Sequence, residues 1–339
     1  MTTPQTVINY LNSLDINVEV IYLSNEGLTD LPDLSKFTKL TELYLNFNQI
    51  AKIGKLPDGL KKLFCNNNQI KSFDKLPNGL EVLVCYNNQI EVLGNLPETL
   101  IRLDCSSNKI IKIDNLPDRL KELSCYSNQI TKISQLPKSL KVLNCCTNKI
   151  QELDNLPEGL IVLLCSYNQI KKLENLPNKL QKLVCNNNQI QKLNIPEELE
   201  QLYCSINLIE ELDKLPDRLK ELRCYSNQIK KLVNLSDKLL ELDCSNNKIQ
   251  ELNIPQGLKI LHCNDNQIQE LKNIPESLII LHCRDNLLPS ININILKEID
   301  INRKRETVVM FILNMSKSKN EFSFDNDDIF RKIGEYVLT

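Results

Sequence analysis

Tryptophan is absent from this chain of 339 residues, histidine occurs only twice and glycine only eight times. Two histidines leave little material for metal or acid–base chemistry. No stretch offers a glycine-rich phosphate loop, a nucleophile elbow or a paired-carboxylate site. Catalysis is therefore not expected, and neither is a cofactor or a bound metal. No run of about 18 apolar residues is present, so no transmembrane helix is expected. The opening, MTTPQTVINY, lacks the basic start and apolar stretch of a signal peptide. With 41 basic residues against 43 acidic ones, no net field steers the chain to nucleic acid or an anionic membrane, and neither is expected as a partner.

What the chain does have is regular. Its length alone suggests two domains, but self-similarity overrides that expectation. LKKLFCNNNQIKSFDKLPNG from Leu60 returns as LEVLVCYNNQIEVLGNLPET from Leu80 and as LIRLDCSSNKIIKIDNLPDR from Leu100. The template is L-x-x-L-x-C-x-x-N-x-I-x-x-L-x-x-L-P-x-x. Its asparagine recurs from Asn48 through Asn128 to Asn286, and a degenerate first copy from Val18 carries Glu26 in that slot. Fourteen copies cover residues 18–288. The first interval is 22 residues long and two are 19, each losing one residue just ahead of the proline, in LNIPEEL and LNIPQGL. The L-x-x-L-x-C-x-x-N block never changes length. One side of each repeat is thus held in register while the other tolerates a deletion.

This pattern resembles the leucine-rich repeats, over roughly four fifths of the chain. The short form with Leu-Pro ahead of the next strand is similar to the repeats of bacterial secreted effectors. The heavy use of Asn, Lys and Ile is similar to the leucine-rich repeat proteins of giant amoebal DNA viruses. The resemblance implies an α/β repeat solenoid with one long parallel β-sheet on a concave face. The residues read the same way. Apolar alternation in L-x-x-L-x-C predicts a short half-buried strand, and the next copy must lie parallel beside it. The asparagine, at the strand exit, carries donors and an acceptor for backbone groups that the bend leaves unpaired. Eleven of the fourteen prolines, Pro57 to Pro275, sit in the Leu-Pro or Ile-Pro slot, which predicts an extended outer wall with 3₁₀ turns and mild curvature.

Twelve of the thirteen cysteines, from Cys65 to Cys283, share one template position that holds Leu23 and Leu45 in the first two copies. That identifies the slot as apolar and buried, and predicts reduced structural thiols. An intracellular, cytoplasmic location follows, in the host cell if the viral resemblance holds. Cys146 is the exception. Following Cys145, it is expected to face outward as an ordinary surface thiol, among Ser124, Tyr126, Asn144, Leu164 and Ser166, none of which is a base. A thiol-dependent enzyme using Cys146 is the weakest reading.

Function is expected on the outward strand positions. The candidate partner-binding residues are Tyr22, Tyr44, Phe64, Val84, Tyr86, Tyr126, Leu164, Val184, Tyr203, Arg223, Tyr225, His262 and His282. A sheet studded with Tyr, Phe and Arg suits recognition of another protein. The two histidines fall at one position on consecutive repeats, with Asp243, Asp265 and Asp285 near, and are read as solvated surface residues. The sequence leaves the oligomeric state open.

The ends should be capped. In residues 1–17, Val7, Tyr10, Leu11 and Leu14 form one helical stripe, with Thr3 as N-cap and Pro4 as first helical residue. Residues 289–339 read as a helical cap of two segments. The second, with Asp328, Ile329, Ile333, Tyr336 and Val337, faintly resembles the opening of F-box motifs. The main reading is a non-catalytic interaction module binding a protein on its concave sheet. The alternative is a substrate-recognition adaptor of a ubiquitin ligase.

Overall fold

The computed structural model describes residues 4–288 apart from Ser134 and Asp213. The expected C-terminal cap and its F-box-like segment lie outside the described residues.

Each L-x-x-L-x-C block forms a three-residue strand, the first at Val20–Tyr22 and the last at Ile280–His282. Fourteen of them make one parallel sheet in chain order. Leucine pairs with leucine along its length, as in Leu43↔Leu63 and Leu163↔Leu183. The odd intervals leave this register intact: Ile21 still pairs with Leu43, Leu183 with Leu202, and Leu242 with Leu261. A slip of one residue would turn every inward leucine to solvent, so the length changes are confined to the outer side. There, Asn115 and Asn155 sit immediately ahead of Leu-Pro and Asn234 ahead of Leu-Ser, with φ of 52°, 56° and 57°. The two short repeats lack the residue that makes this left-handed kink.

The inward side is one continuous core. The central residue of each strand from Ile21 to Leu261 and the cysteines from Cys65 to Cys263 are fully or almost fully buried, and Leu281 on the last strand is partly buried. All thirteen cysteines are free thiols, and Cys283, on the last strand, is half-buried. Burial pushes the core thiols well above the ordinary range, as at Cys125 and Cys165. The cysteine column thus packs as a hydrophobe, as its exchange with Leu23 and Leu45 implies.

The outer wall is extended and locally paired, Lys112–Ile113 with Lys132–Ile133, Lys172–Leu173 with Lys192–Leu193, and Lys231–Leu232 with Glu251–Leu252. Each template proline opens one tight turn: Leu60 N–H donates to Pro57 O at 3.2 Å and Leu278 N–H to Pro275 O at 3.1 Å. The expected 3₁₀ component is reduced to these single turns among the described residues. Where Ser236 replaces the proline, its hydroxyl donates to Asp217 O at 2.7 Å and accepts from Lys238 N–H at 3.1 Å, holding the same bend. Gly257 follows the second shortened loop, and a Cβ there would lie 2.6 Å from Asp237 O.

The N-terminal helix is Gln5–Ser13, with Val7 and Leu11 buried and Tyr10 and Leu14 packed on the core. Its start corrects the expected capping. Pro4, with φ −53° and ψ 140°, is itself the N-cap, with no side-chain capping bond, and Thr3 lies outside the described residues. Extended ψ at a proline already turns the chain into the helix, and no donor is lost there. At the other end Lys36 Nζ donates to Leu11 O at 2.9 Å, placing a cation where carbonyls are unpaired.

Candidate functional site

The asparagine ladder fixes where each strand ends, and so where each outward side chain stands. Asn128 Nδ2 donates to Cys125 O and to Cys105 O of the preceding repeat, both at 3.1 Å, and to Tyr126 O at 3.3 Å. Its Oδ1 accepts from Ile110 N–H at 2.9 Å. The same pattern is present in Asn48, which reaches Leu23 O and Leu45 O, and in Asn286, which reaches Cys263 O and Cys283 O. One amide therefore satisfies the turn of two repeats.

The residue just before that asparagine is left-handed on every repeat, from Asn25 to Asp285. Phe47, Tyr167 and Ile206 hold this conformation at φ of 57°, 55° and 54°, which costs a bulky or branched residue about 1–2 kcal/mol. Phe47 and Tyr167 are each 59% exposed in this column, which the sequence reading missed as a source of exposed aromatic surface. The signal was the abundance of Asn, Ser and Asp in that column, the residue types that tolerate left-handed backbone.

On the sheet face the first three strands carry a stack of rings. Tyr22 and Tyr44 have centroids 4.8 Å apart, and Tyr44 and Phe64 4.5 Å apart with planes inclined by only 5°. Tyr22 is 60% exposed. Tyr44 Oη donates to Glu42 Oε2 at 3.2 Å, and Glu42 is paired with Lys62 at 2.9 Å. Burial and the Glu42 carboxylate raise the Tyr44 phenol.

The middle of the face is closed. Val84 and Leu164, expected to present apolar surface, are only 8% and 5% exposed, because side chains on adjacent strands pack flank to flank. Val142, Val162, Ser124 and Asn144 are buried with them. The hydroxyls of Ser106 and Ser124 lie 2.8 Å apart. The Asp104 carboxylate accepts from Ser106 N–H at 3.1 Å, and burial raises its pKa. Tyr86 and Tyr126, half-buried, stand among these residues. Cys146 is corrected as well. It is half-buried, and desolvation pushes its thiol up to about 12, with Ser166 partly offsetting this. Such a thiol is almost wholly protonated near neutrality, the opposite of a nucleophile's poise.

A second cluster, of half-buried side chains, surrounds Tyr203. The phenol donates to Glu221 Oε2, and the ring lies between Arg223, 4.9 Å from its centroid, and Lys182, 5.5 Å away. Gln201 Nε2 donates to Glu221 Oε1 at 2.9 Å, and Arg223 reaches Glu241 at 3.5 Å. Burial lowers the Lys182 amine and, with Glu221, raises the Tyr203 phenol. Val184 and Tyr225, both half-buried, flank the cluster. At the last two strands His262 and His282 stand side by side, their Nδ1 atoms 3.1 Å apart and their rings edge to face. The thirteen expected residues thus divide into an aromatic stack, a closed middle, a charged tyrosine cluster and a histidine pair. Among the described residues, no helix is long and apolar enough to cross a membrane.

Comparison with known proteins agrees with this geometry. The family profile described as "Leucine Rich repeats (2 copies)" matches residues 16–58 and 118–158. The chain is similar to the solved structure of YopM, a leucine-rich effector protein from Yersinia pestis, at 30% identity over 80% of this chain and 86% of that one, with a TM-score of 0.70. It is also similar to the functional domain of InlJ from Listeria monocytogenes, which includes a cysteine ladder, at 28% identity over 81% and 71% of the two chains and a TM-score of 0.63. The leucine-rich repeat protein LIC12759 of Leptospira interrogans shares the fold, at 24% identity over 82% and 81%, with a TM-score of 0.67. No curated protein matches the chain.

Proposed function

The chain belongs to the leucine-rich repeat family, and we propose that it is a non-catalytic module that binds another protein on the outward side of its fourteen-stranded sheet. The observation that carries this reading is the stack of Tyr22, Tyr44 and Phe64, three rings ordered before any partner arrives. Aromatic residues dominate the energetics of protein interfaces, and rings already held by neighbours lose little freedom on binding. Tyr203 and Arg223 supply a second anchor of the same chemistry. Seven strand spacings separate Phe64 from Tyr203, about 34 Å at about 4.8 Å each. That span suits a folded partner bridging both anchors across the closed middle. The thirteen free thiols favour a reducing intracellular setting for this binding.

Proximity labelling in the native cell nominates the partner, and titration with the purified partner tests the surface. Tyr44→Ala and Tyr203→Ala are each expected to weaken binding at least about tenfold, the scale of one hot spot. Unchanged affinity in both variants would move the interface off the sheet.

A further inference from the structure

The histidines of this chain number two, and the fold places them on consecutive strands at the same register, His262 opposite His282. Cys263 N–H donates to His282 O at 2.8 Å, so the backbone holds both side chains on one face. Their Nδ1 atoms are 3.1 Å apart, and both rings are half-exposed. Without a cation the contact needs one ring to donate its N–H to the other, so the pair accommodates one bridging proton. Burial, the neighbouring His262 and Arg284 lower the His282 pKa, with Asp243 opposing.

Imidazole nitrogens bind Zn²⁺ at about 2.0–2.1 Å, so two of them 90–109° apart around one ion stand about 2.9–3.4 Å from each other. The observed separation falls inside that range before any ligand is present. We propose that His262 and His282 form a two-point site for a divalent late transition-metal ion, the class for which imidazole is the favoured donor. The ion takes both Nδ1 atoms as the donating ring shifts its proton from Nδ1 to the solvent-side Nε2, so both rings ligate as neutral imidazoles, with water completing the shell. Asp243, in register with His262 on the preceding strand, adds favourable negative charge. Arg284 opposes binding and is offset by Asp285, 4.0 Å from its guanidinium. Cys263 is buried in the core, where it cannot reach an ion between the rings. The two histidines expected as solvated surface residues are half-exposed and touch each other.

The test uses the untagged full-length chain and ZnCl₂, by calorimetry and by NMR of the imidazole nitrogens, which report on this pair alone. One equivalent is expected to bind, shifting both rings together, and affinity should fall at least about tenfold between pH 7.5 and 5.5 as the imidazoles protonate. His262→Gln and His282→Gln should each weaken binding at least about tenfold, comparable to other losses of a metal-site group, with thermal melts showing that the apo variants stay folded. Ring signals that do not move on saturation, or a double variant that binds as the parent does, would overturn the site.

Discussion

Twelve consecutive strands carry the same inward residue, from Cys65 to Cys283, while the outward residue beside it changes at almost every step, from Phe64 to His282. Both columns belong to the same strands and meet the same neighbours about 4.8 Å away. The inward column must satisfy one packing and hydrogen-bonding problem repeated at each level, and one solution serves all. The outward column faces solvent at its ends and packs against itself in the middle, so its residues are free to differ. Uniformity marks what the solenoid needs in order to stand, and variety marks where it can recognise something.

That contrast can be broken most directly at the ladder. Asn128→Leu removes one of two donors from the carbonyls of Cys105, Cys125 and Tyr126, which keep Asn108, Asn148 and Ser107 N–H, and leaves Ile110 N–H without its acceptor. At about 1–3 kcal/mol for the one buried group left unpaired and about 0.5–1.5 kcal/mol for each of the three other hydrogen bonds lost, a loss of about 3 kcal/mol or more is expected in urea unfolding. Adjacent cysteines sharpen the comparison at a smaller scale. Cys145→Ser places an unpaired hydroxyl in the core and should cost about 1–3 kcal/mol. Cys146→Ser should cost less, and a thiol-reactive probe should label Cys146 more slowly than a free cysteine peptide, given its raised pKa. Equal costs for the two would erase the distinction between the columns.

Tyr44→Ala removes two ring contacts on the outward side and should destabilise by about 1 kcal/mol, well below Asn128→Leu. The reverse order in thermal melts would exchange the inward and outward assignments. The smallest expected effect is a pH response at the histidine pair. His282 is held below its ordinary pKa by burial, His262 and Arg284, with Asp243 opposing. Protonation therefore favours the unfolded chain: this contribution is present above about pH 6.5 and is lost as pH falls below it. His282→Gln should flatten the stability profile between about pH 5 and 7. An unchanged slope would remove the pair as its source.

Much of this was legible because repetition converts sequence position into structural position. Once Leu63, Cys65 and Asn68 were aligned with Leu83, Cys85 and Asn88, the register, the buried thiols and the turn-bridging amides followed. The aromatic stack was legible as residue types, since Tyr22, Tyr44 and Phe64 occupy one column. The burial of Val84 and Leu164 was not, because it depends on how the side chains in register on neighbouring strands pack against them, Phe64 and Asp104 beside Val84 and Asn144 and Val184 beside Leu164. The half-buried Cys146 was misread for the same reason. Pro4 was misplaced by one residue because a proline at the cap and a proline in the first turn share the same φ, and ψ separates them.

The sequence by itself determined the period, the strand pairing and the inward chemistry, because each strand must match its neighbour residue for residue. Only the tertiary structure decided which outward side chains reach solvent, that the Tyr44 ring lies parallel to Phe64, and that two imidazole nitrogens approach to 3.1 Å. Those outcomes depend on rotamers and on lateral packing between strands, which no one-dimensional spacing encodes.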